Sequence, residues 1–446
     1  MNVVVVGLGK IGLPLAVQIA GRGHRVVGAD IDGAVVEKVT TGTAPFAGED
    51  GLDERLAEVV AAGRLEATTD TSHAVEQSDT VVVVVPLVVD ADRSPDFSAM
   101  DAATTAVAKG LRPGTLVVYE TTLPVFSSRH RLAPLLEEVS GLTSGRDFFV
   151  CHSPERVYSG RIFADLRRYP KLVGALQPEG AARAVAFYEA VLEFDDRPDL
   201  ERENGVWDLG SAEAAEMAKL AETTYRNVNI AFANELAVTA DAVGVDVRAV
   251  IEAANSQPFS HIHQPGIAVG GHCIPVYPYF LLAGRPDAVL VRQALGVNEA
   301  MPAYAVGVLA SMLGGLGGRT VAVLGASYRG GVKATDFSGV FAVVEALAAA
   351  GARPRVHDPL YTDEELGALG FAPYHLGDQV DAAVVQTDHE AYRALGPADL
   401  PGAKAVVDGR AMLDPDRFGD VAVRRLGVGT DAAQAVPPTA RSSTSR

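Results

Sequence analysis

From residue 2 to about 205, short apolar runs alternate with stretches of helical periodicity. Val3 to Val6, Arg25 to Ala29, Thr80 to Val85, Leu116 to Tyr119 and Phe148 to Cys151 are near-continuous apolar runs without polar alternation, as expected of strands covered on both faces. Helix-length segments separate them, so the pattern predicts βαβ units and a parallel sheet. A second series starts at Thr320-Val-Ala-Val-Leu-Gly325 and continues through Arg355 to Asp358, Ala382 to Gln386 and Ala405 to Asp408. Between the two series, Ser211 to Val243 contains neither Gly nor Pro and carries Met217, Leu220, Thr224 and Val228 at helical spacing. This stretch predicts one long helix, able to serve as a dimer interface or to be buried within a monomer.

Glycines and prolines mark the remaining boundaries. Gly314-Gly315-Leu316-Gly317-Gly318 opens the last domain, and from about Gly429 the chain turns low in complexity, with Pro437-Pro438 and Ser442 to Ser445, as in a disordered tail. The expected division is 1–205, 206–313 and 314–428, followed by a tail at 429–446. Length and composition agree, since 446 residues with 48% apolar and 21% charged side chains suit about three folded domains. No apolar run approaches the ~18 residues of a membrane span. A net charge of −18 repels nucleic-acid backbones and anionic membranes, so neither is expected as a partner. Two cysteines, Cys151 and Cys273, are too few for a disulfide framework or a structural metal site, so no metal is expected. The start at Met1-Asn2 lacks a basic segment and cleavage site, and a cytoplasmic location is expected.

Chemistry enters at Gly7-Leu-Gly9-Lys-Ile11-Gly12, which follows the first strand and opens a helix, while Asp30 ends the next apolar run. The glycines allow a tight turn and close approach to a pyrophosphate, and the helix N-terminus favours the anion. Asp30 can accept from a ribose 2′-hydroxyl and would repel a 2′-phosphate, so NAD is expected in preference to NADP. The second glycine series, Gly325-Ala-Ser-Tyr-Arg-Gly330-Gly331, lacks that spacing and reads as a loop for a different phosphate ligand.

Two further segments carry reactive residue types. Gly266-Ile-Ala-Val-Gly270-Gly271-His272-Cys273-Ile-Pro275 sets a cysteine ahead of prolines suited to a helix start. A thiol there lies in the field of a helix N-terminus, which favours the thiolate, although a small buried residue would fit the glycines equally. On the long helix, Lys219, Thr223 and Arg226 share one face, either as a functional stripe or as a solvated or ion-paired one.

Together these segments resemble the UDP-glucose/GDP-mannose dehydrogenase family, and within it the branch that oxidises UDP-N-acetyl-hexosamines. The resemblance runs to about residue 425. It is carried by the Gly7 loop, Tyr119-Glu120-Thr121-Thr122, Ser153-Pro154-Glu155-Arg156-Val157, Glu216 to Glu235, Gly270 to Pro275, Asn298 to Pro302 and Asp408-Gly-Arg410. It implies an α/β architecture of two Rossmann-like doubly wound domains joined by the long central helix of a helical dimerisation element, and a homodimer. The implied reaction is the four-electron, NAD-dependent oxidation of a UDP-sugar C6 alcohol to the uronic acid. By resemblance, Cys273 is the nucleophile that forms a thiohemiacetal and then a thioester, Lys219 stabilises an alkoxide or acts as base, and Glu155 activates the hydrolytic water. Thr223 completes the implied catalytic set. Gly7, Gly9, Ile11, Gly12, Asp30, Pro86 and Thr122 match cofactor positions. Arg156, Val157, Lys219, Arg226, His263, Gly266, Gly270, Tyr328 and Arg329 match substrate positions.

The chain departs from the family pattern at several places. Thr223 stands where an Asn is usual and Tyr277 replaces an Asp. Asp336 falls where an Arg contacts the cofactor, a reversal that Lys333 could offset. Leu87 follows Pro86 in place of Thr-Pro, Phe126-Ser127-Ser128 replaces Gly-Thr-Thr, and Gln257 and Phe259 stand at basic and His positions. Two other readings stay in view. A two-electron hydroxyacid dehydrogenase of the 6-phosphogluconate type has no use for Cys273, and a catalytically impaired nucleotide-sugar-binding homologue would account for the departures.

Overall fold

The computed structural model describes residues 1–429; the tail expected at 429–446 falls, from residue 430 on, outside them. The described residues form two units, 1–222 with 279–286, and 223–278 with 287–429.

The first unit is built on an eight-stranded sheet. Its strands are β1 (Asn2–Val6), β2 (Arg25–Ala29), β3 (Leu65–Thr68), β4 (Thr80–Val83), β7 (Leu116–Tyr119), β8 (Phe149–His152), β9 (Lys171–Ala175) and β10 (Val206–Asp208), with β5 (Val88–Val89) and β6 (Pro95–Asp96) forming a separate hairpin. The sheet order is β10-β9-β8-β7-β4-β1-β2-β3, so the direction of winding reverses between β1 and β4, the crevice where such sheets bind ligands. Val3, Val5, Val82, Val118 and Cys151 pack on one face against Leu13, Ile19, Leu56 and Phe187 from flanking helices. Their neighbours Val4, Val81, Val117 and Val150 are equally buried on the other face, which explains the unbroken apolar runs. The sheet is mixed, whereas the sequence pattern predicts a parallel one. Strand β9 runs antiparallel to β8, with His152 opposite Gly174. A strand's direction leaves no trace in its hydrophobic pattern, and the reversal carries Lys171 past the carboxyl end of β8.

The second unit holds a five-stranded parallel sheet of β11 (Thr320–Leu324), β12 (Arg353–His357), β13 (Ala382–Val385), β14 (Ala405–Asp408) and β15 (Ala422–Arg425) in the order β12-β11-β13-β14-β15. Its switch point lies between β11 and β13. Val321, Val323, Val384 and Val407 pack against Met301, Ala305 and Leu309 of the helix Val289–Leu313. The opposite face packs on Tyr374, Tyr392 and Phe418.

The expected long helix runs unbroken over Ala212–Val243. Its residues up to Glu222 belong to the first unit and the others to the second. In the second unit Ala233, Ala237 and Ala240 pack against Val247 and Ile251. In the first, buried Glu216 accepts from the Phe126 and Ser128 backbone N–H groups at 2.7 and 2.8 Å. This anchor accounts for a departure noted above, because Phe126 sits at φ +73°, a conformation suited to the family's glycine, and Glu216 holds it there. Burial pushes the Glu216 carboxyl up to about 7, against the opposing Ser128 and Phe126 hydrogen bonds.

Candidate active site

In the first unit the expected cofactor residues gather at the carboxyl edge of β1 and β2. Gly7 lies at φ +94°, and a Cβ on it would come within 2.6 Å of the Val84 carbonyl oxygen after β4; one on Gly12 would meet the Gly7 carbonyl oxygen at 1.9 Å. Around Gly9, by contrast, a Cβ would meet nothing within 4 Å. The outer glycines thus close the turn against neighbouring backbone while the middle one leaves an open approach to the N-terminus of the helix Gly12–Gly21. Ile11 packs against the core. One Asp30 oxygen accepts from the Leu8 N–H at 2.7 Å and the other from Asp32 at 2.9 Å, so the acid that would meet a ribose is tied to the glycine turn itself. Each oxygen keeps a further lone pair for a hydroxyl. The cradle therefore fits a dinucleotide. Pro86 follows β4 and Thr122 follows β7 at the same edge, joined by the Thr121 hydroxyl, which donates to the Val85 carbonyl at 2.6 Å.

Glu155, Arg156 and Val157 follow β8 on this edge. Glu155 accepts the Arg156 backbone N–H at 2.6 Å and the Lys171 ammonium at 2.8 Å, and does not pair with the Arg156 guanidinium. Burial alone would raise the Glu155 carboxyl, but Lys171 outweighs it and holds the group below its ordinary value. The Arg156 guanidinium reaches Glu222 at 2.7 Å. Val157 packs against the core. Lys219 and Thr223 are buried at 5% and 0% exposure, which rules out a solvated stripe at those positions.

In the second unit, His263, Gly266, Gly270 and Cys273 share one loop, pinned from two sides. Asn229 accepts the His263 N–H at 2.8 Å, Asn234 accepts that of Gly266 at 2.9 Å, and the Asn227 side chain donates to the Ile274 carbonyl at 3.1 Å, beside the cysteine. Asn298 in turn binds both Asn234 and the Asn227 backbone. On the other side, the loops after β11 and β14 approach so closely that a Cβ on Gly270 would lie 2.7 Å from Tyr328 Cβ, and one on Gly266 2.7 Å from the Arg410 guanidinium. The Arg329 guanidinium lies over the Tyr328 ring. Cys273 is partly exposed, and its carbonyl accepts the N–H of Tyr277, first residue of the helix Tyr277–Gly284, so the thiol precedes a helix start as expected. Burial lowers His263, helped by the Arg226 charge. Asp336 pairs with His272 at 3.2 Å. Lys333 does not offset it; its ammonium turns to Glu365 at 2.5 Å.

The asparagine ladder and Arg410 escaped sequence reasoning as anchors, although Glu216 to Glu235 and Asp408-Gly-Arg410 were legible as motifs. Lys171 escaped altogether; the available signal was a lysine opening the otherwise apolar run Leu172 to Ala175. At the second switch point a Cβ on Gly325 would lie 2.2 Å from the Thr387 side chain, and Asp358 accepts the Ala326 and Ser327 N–H groups at 2.8 Å each. This repeats, on β11 and β12, the service that Asp30 gives the first glycine turn.

The first sheet and its switch-point loop make this a Rossmann-type dinucleotide-binding protein. The chain belongs to the UDP-glucose/GDP-mannose dehydrogenase family, whose NAD binding, central and UDP binding domains match residues 1–192, 213–300 and 322–415. It is 36% identical to the UDP-N-acetyl-D-mannosamine dehydrogenase of Pyrococcus horikoshii, covering 96% of this chain and 100% of that one. It is 31% identical to an NDP-N-acetyl-D-galactosaminuronic acid dehydrogenase of Ralstonia solanacearum over 93% and 96%. The solved structure of UDP-D-ManNAc dehydrogenase from Pyrococcus horikoshii superimposes with a TM-score of 0.85 at 34% identity, over 96% of this chain and 99% of that one. The protein is an NAD-dependent dehydrogenase.

Proposed function

We propose that the protein oxidises the C6 alcohol of a UDP-N-acetyl-hexosamine to the carboxylate. NAD, when bound, accepts hydride, and a four-electron oxidation uses it twice. Lys219 stabilises the developing alkoxide, with the Thr223 hydroxyl as a further donor. The Cys273 thiolate adds to the carbonyl carbon of the C6 aldehyde, forming a C–S bond and, after oxidation, a thioester. Glu155 takes a proton from water, which attacks the thioester carbonyl, so that the C–S bond breaks and the uronate and the thiolate are released. Arg156, Val157, Arg226, His263, Gly266, Gly270, Tyr328 and Arg329 bind the nucleotide sugar. Gly7, Gly9, Ile11, Gly12, Asp30, Pro86 and Thr122 hold the cofactor.

The observation that carries this reading is a partly exposed Cys273 on a loop fixed at Ile274 by Asn227, in a chain whose relatives act on N-acetylated sugars. The proposed division is a cofactor domain at 1–205, a helical element at 206–313 and a sugar-nucleotide domain at 314–428. The exposed apolar residues Tyr225, Phe232 and Val243 on the long helix support a homodimer through it, and two free cysteines suit the cytoplasm. The test is a panel of UDP-N-acetylmannosamine, UDP-N-acetylglucosamine, UDP-N-acetylgalactosamine and UDP-glucose with NAD, scored by kcat/KM and by mass of the product. The highest kcat/KM on an N-acetylated sugar, with a uronate product, is expected; a preference for UDP-glucose overturns the substrate assignment, and no NADH from any sugar leaves a binding homologue.

A further inference from the structure

Glu155 does not stand alone. Strands β7 and β8 are parallel and deliver Glu120 and Glu155 to one edge of the sheet, and antiparallel β9 delivers Lys171 to the same edge from the opposite direction. The Lys171 ammonium lies 2.9 Å from Glu120 Oε2 and 2.8 Å from Glu155 Oε2. All three side chains are sequestered, at 5%, 0% and 12% exposure for Lys171, Glu120 and Glu155.

We propose that Lys171 is a positioning residue for Glu155, holding that carboxylate aimed and ionised, while Glu120 on the other side of the same ammonium carries the compensating proton. This rests on the reading of Glu155 as the carboxylate that activates water. Two carboxylates on one buried ammonium leave an excess negative charge, which the interior tolerates poorly, and one proton makes the cluster neutral. Glu120 is the carboxylate to take it. It is fully sealed, with the Tyr188 hydroxyl on its other oxygen, whereas Glu155 reaches the surface and accepts the Arg156 N–H, a donor that rewards the ionised form.

The surrounding groups leave this charge count intact. Burial pushes the His152 imidazole down to about 3 and the Cys151 thiol up to about 12, so both are uncharged at neutral pH. Burial keeps Tyr188 a phenol. Arg156 is engaged by Glu222, and Asp208 on β10 acts on Cys151 as a more remote charge. Burial opposes the Lys171 charge, but its two carboxylates outweigh that and keep it an ammonium. Burial, only partly offset by Lys171, raises Glu120.

The experiment follows thioester hydrolysis in single turnovers, with full-length protein, NAD and UDP-N-acetyl-D-mannosamine, by rapid quench between pH 5 and 9. Lys171→Met is expected to move the acid limb of the hydrolysis rate up by about one to three pH units, the effect of losing an adjacent opposite charge. Acyl-enzyme then accumulates at pH 6, at a rate lowered roughly tenfold or more. Lys171→Arg restores the limb. Glu120→Gln, which mimics the protonated acid, keeps the limb in place. A wild-type profile in Lys171→Met overturns the proposal, as does an arginine variant no better than methionine, because then packing rather than charge is at work. A shifted limb in Glu120→Gln overturns the proton assignment. Should Lys171→Met fail to fold, the arginine and glutamine profiles carry the test. Glu155→Gln separates the two readings: undiminished hydrolysis at every pH removes Glu155 from the mechanism, whereas lost hydrolysis with a normal Lys171→Met profile sinks only the inference about Lys171.

Discussion

Replacing Asp358 by asparagine removes one charge and adds one misplaced donor. One carboxylate oxygen accepts the N–H groups of Ala326 and Ser327 at 2.8 Å each and lies 3.0 Å from His389 Nε2; the other accepts Leu360 N–H at 2.9 Å. Burial alone would raise this carboxyl, but the His389 hydrogen bond and the Ser327 and Leu360 N–H groups outweigh it and hold the group at about 2, against 3.8 ordinarily. That difference corresponds to roughly 2–3 kcal/mol favouring the folded carboxylate. Because the folded value is depressed, the contribution is complete above about pH 4 and is lost as pH falls toward 2. Asparagine can keep its oxygen toward three donors, but its amide then faces Leu360 N–H, an unmet buried donor worth a further ~1 kcal/mol or more. The expected loss of about 3 kcal/mol lowers the melting temperature of the second unit by roughly 5–10 °C. Differential scanning calorimetry of both proteins across pH 3–8 measures it. The gap should be constant from pH 8 to about 4 and narrow only below. An unchanged melting temperature at pH 7, or a gap that already closes between pH 7 and 5, refutes the reasoning, the latter by assigning the stabilisation to a group other than this carboxylate.

Cys273→Ser is expected to abolish release of uronate while nucleotide-sugar affinity by calorimetry stays within about threefold, since a serine hydroxyl is a poor nucleophile at neutral pH; Cys151, sealed in β8, is dispensable, and Cys151→Ala should keep the reaction. Asp30→Ala should weaken NAD and narrow the NAD over NADP ratio of kcat/KM, because the 2′-hydroxyl loses an acceptor, a 2′-phosphate loses its repulsion and the glycine turn loses its Leu8 anchor; a wild type that uses both cofactors equally contradicts this. Thr223→Asn should change turnover by no more than about tenfold, some 1.4 kcal/mol, as both side chains can donate one hydrogen bond; a gain from an inactive wild type would point to a lapsed active site.

The elements that position the site were legible where they depend on local pattern. The Gly7 turn, its acid at Asp30 and the unbroken helix Ala212–Val243 could be read because glycine spacing, a strand-ending acid and a long stretch without helix breakers are contiguous features. The long-range pairings could not. Lys171 stands 51 residues from Glu120 and 16 from Glu155, and the three meet only because β9 reverses, a property of sheet topology. The asparagine ladder shows the same limit: Asn234 and Asn298 are 64 residues apart and look in the sequence like two ordinary polar positions on two helices. Phe126 is a third case, where a residue ill suited to a left-handed turn is held by Glu216, 90 residues on.

The most direct test of the account is the number of NADH formed per molecule of nucleotide sugar consumed. UDP-N-acetyl-D-mannosamine, limiting against excess NAD, is run to completion while absorbance counts NADH and mass spectrometry identifies the sugar product. Two NADH per sugar, with the C6 carboxylate as the sole product and no reaction in Cys273→Ser, is the predicted result. One NADH per sugar with an aldehyde or ketone product, or a stoichiometry of two that persists in Cys273→Ser, contradicts it.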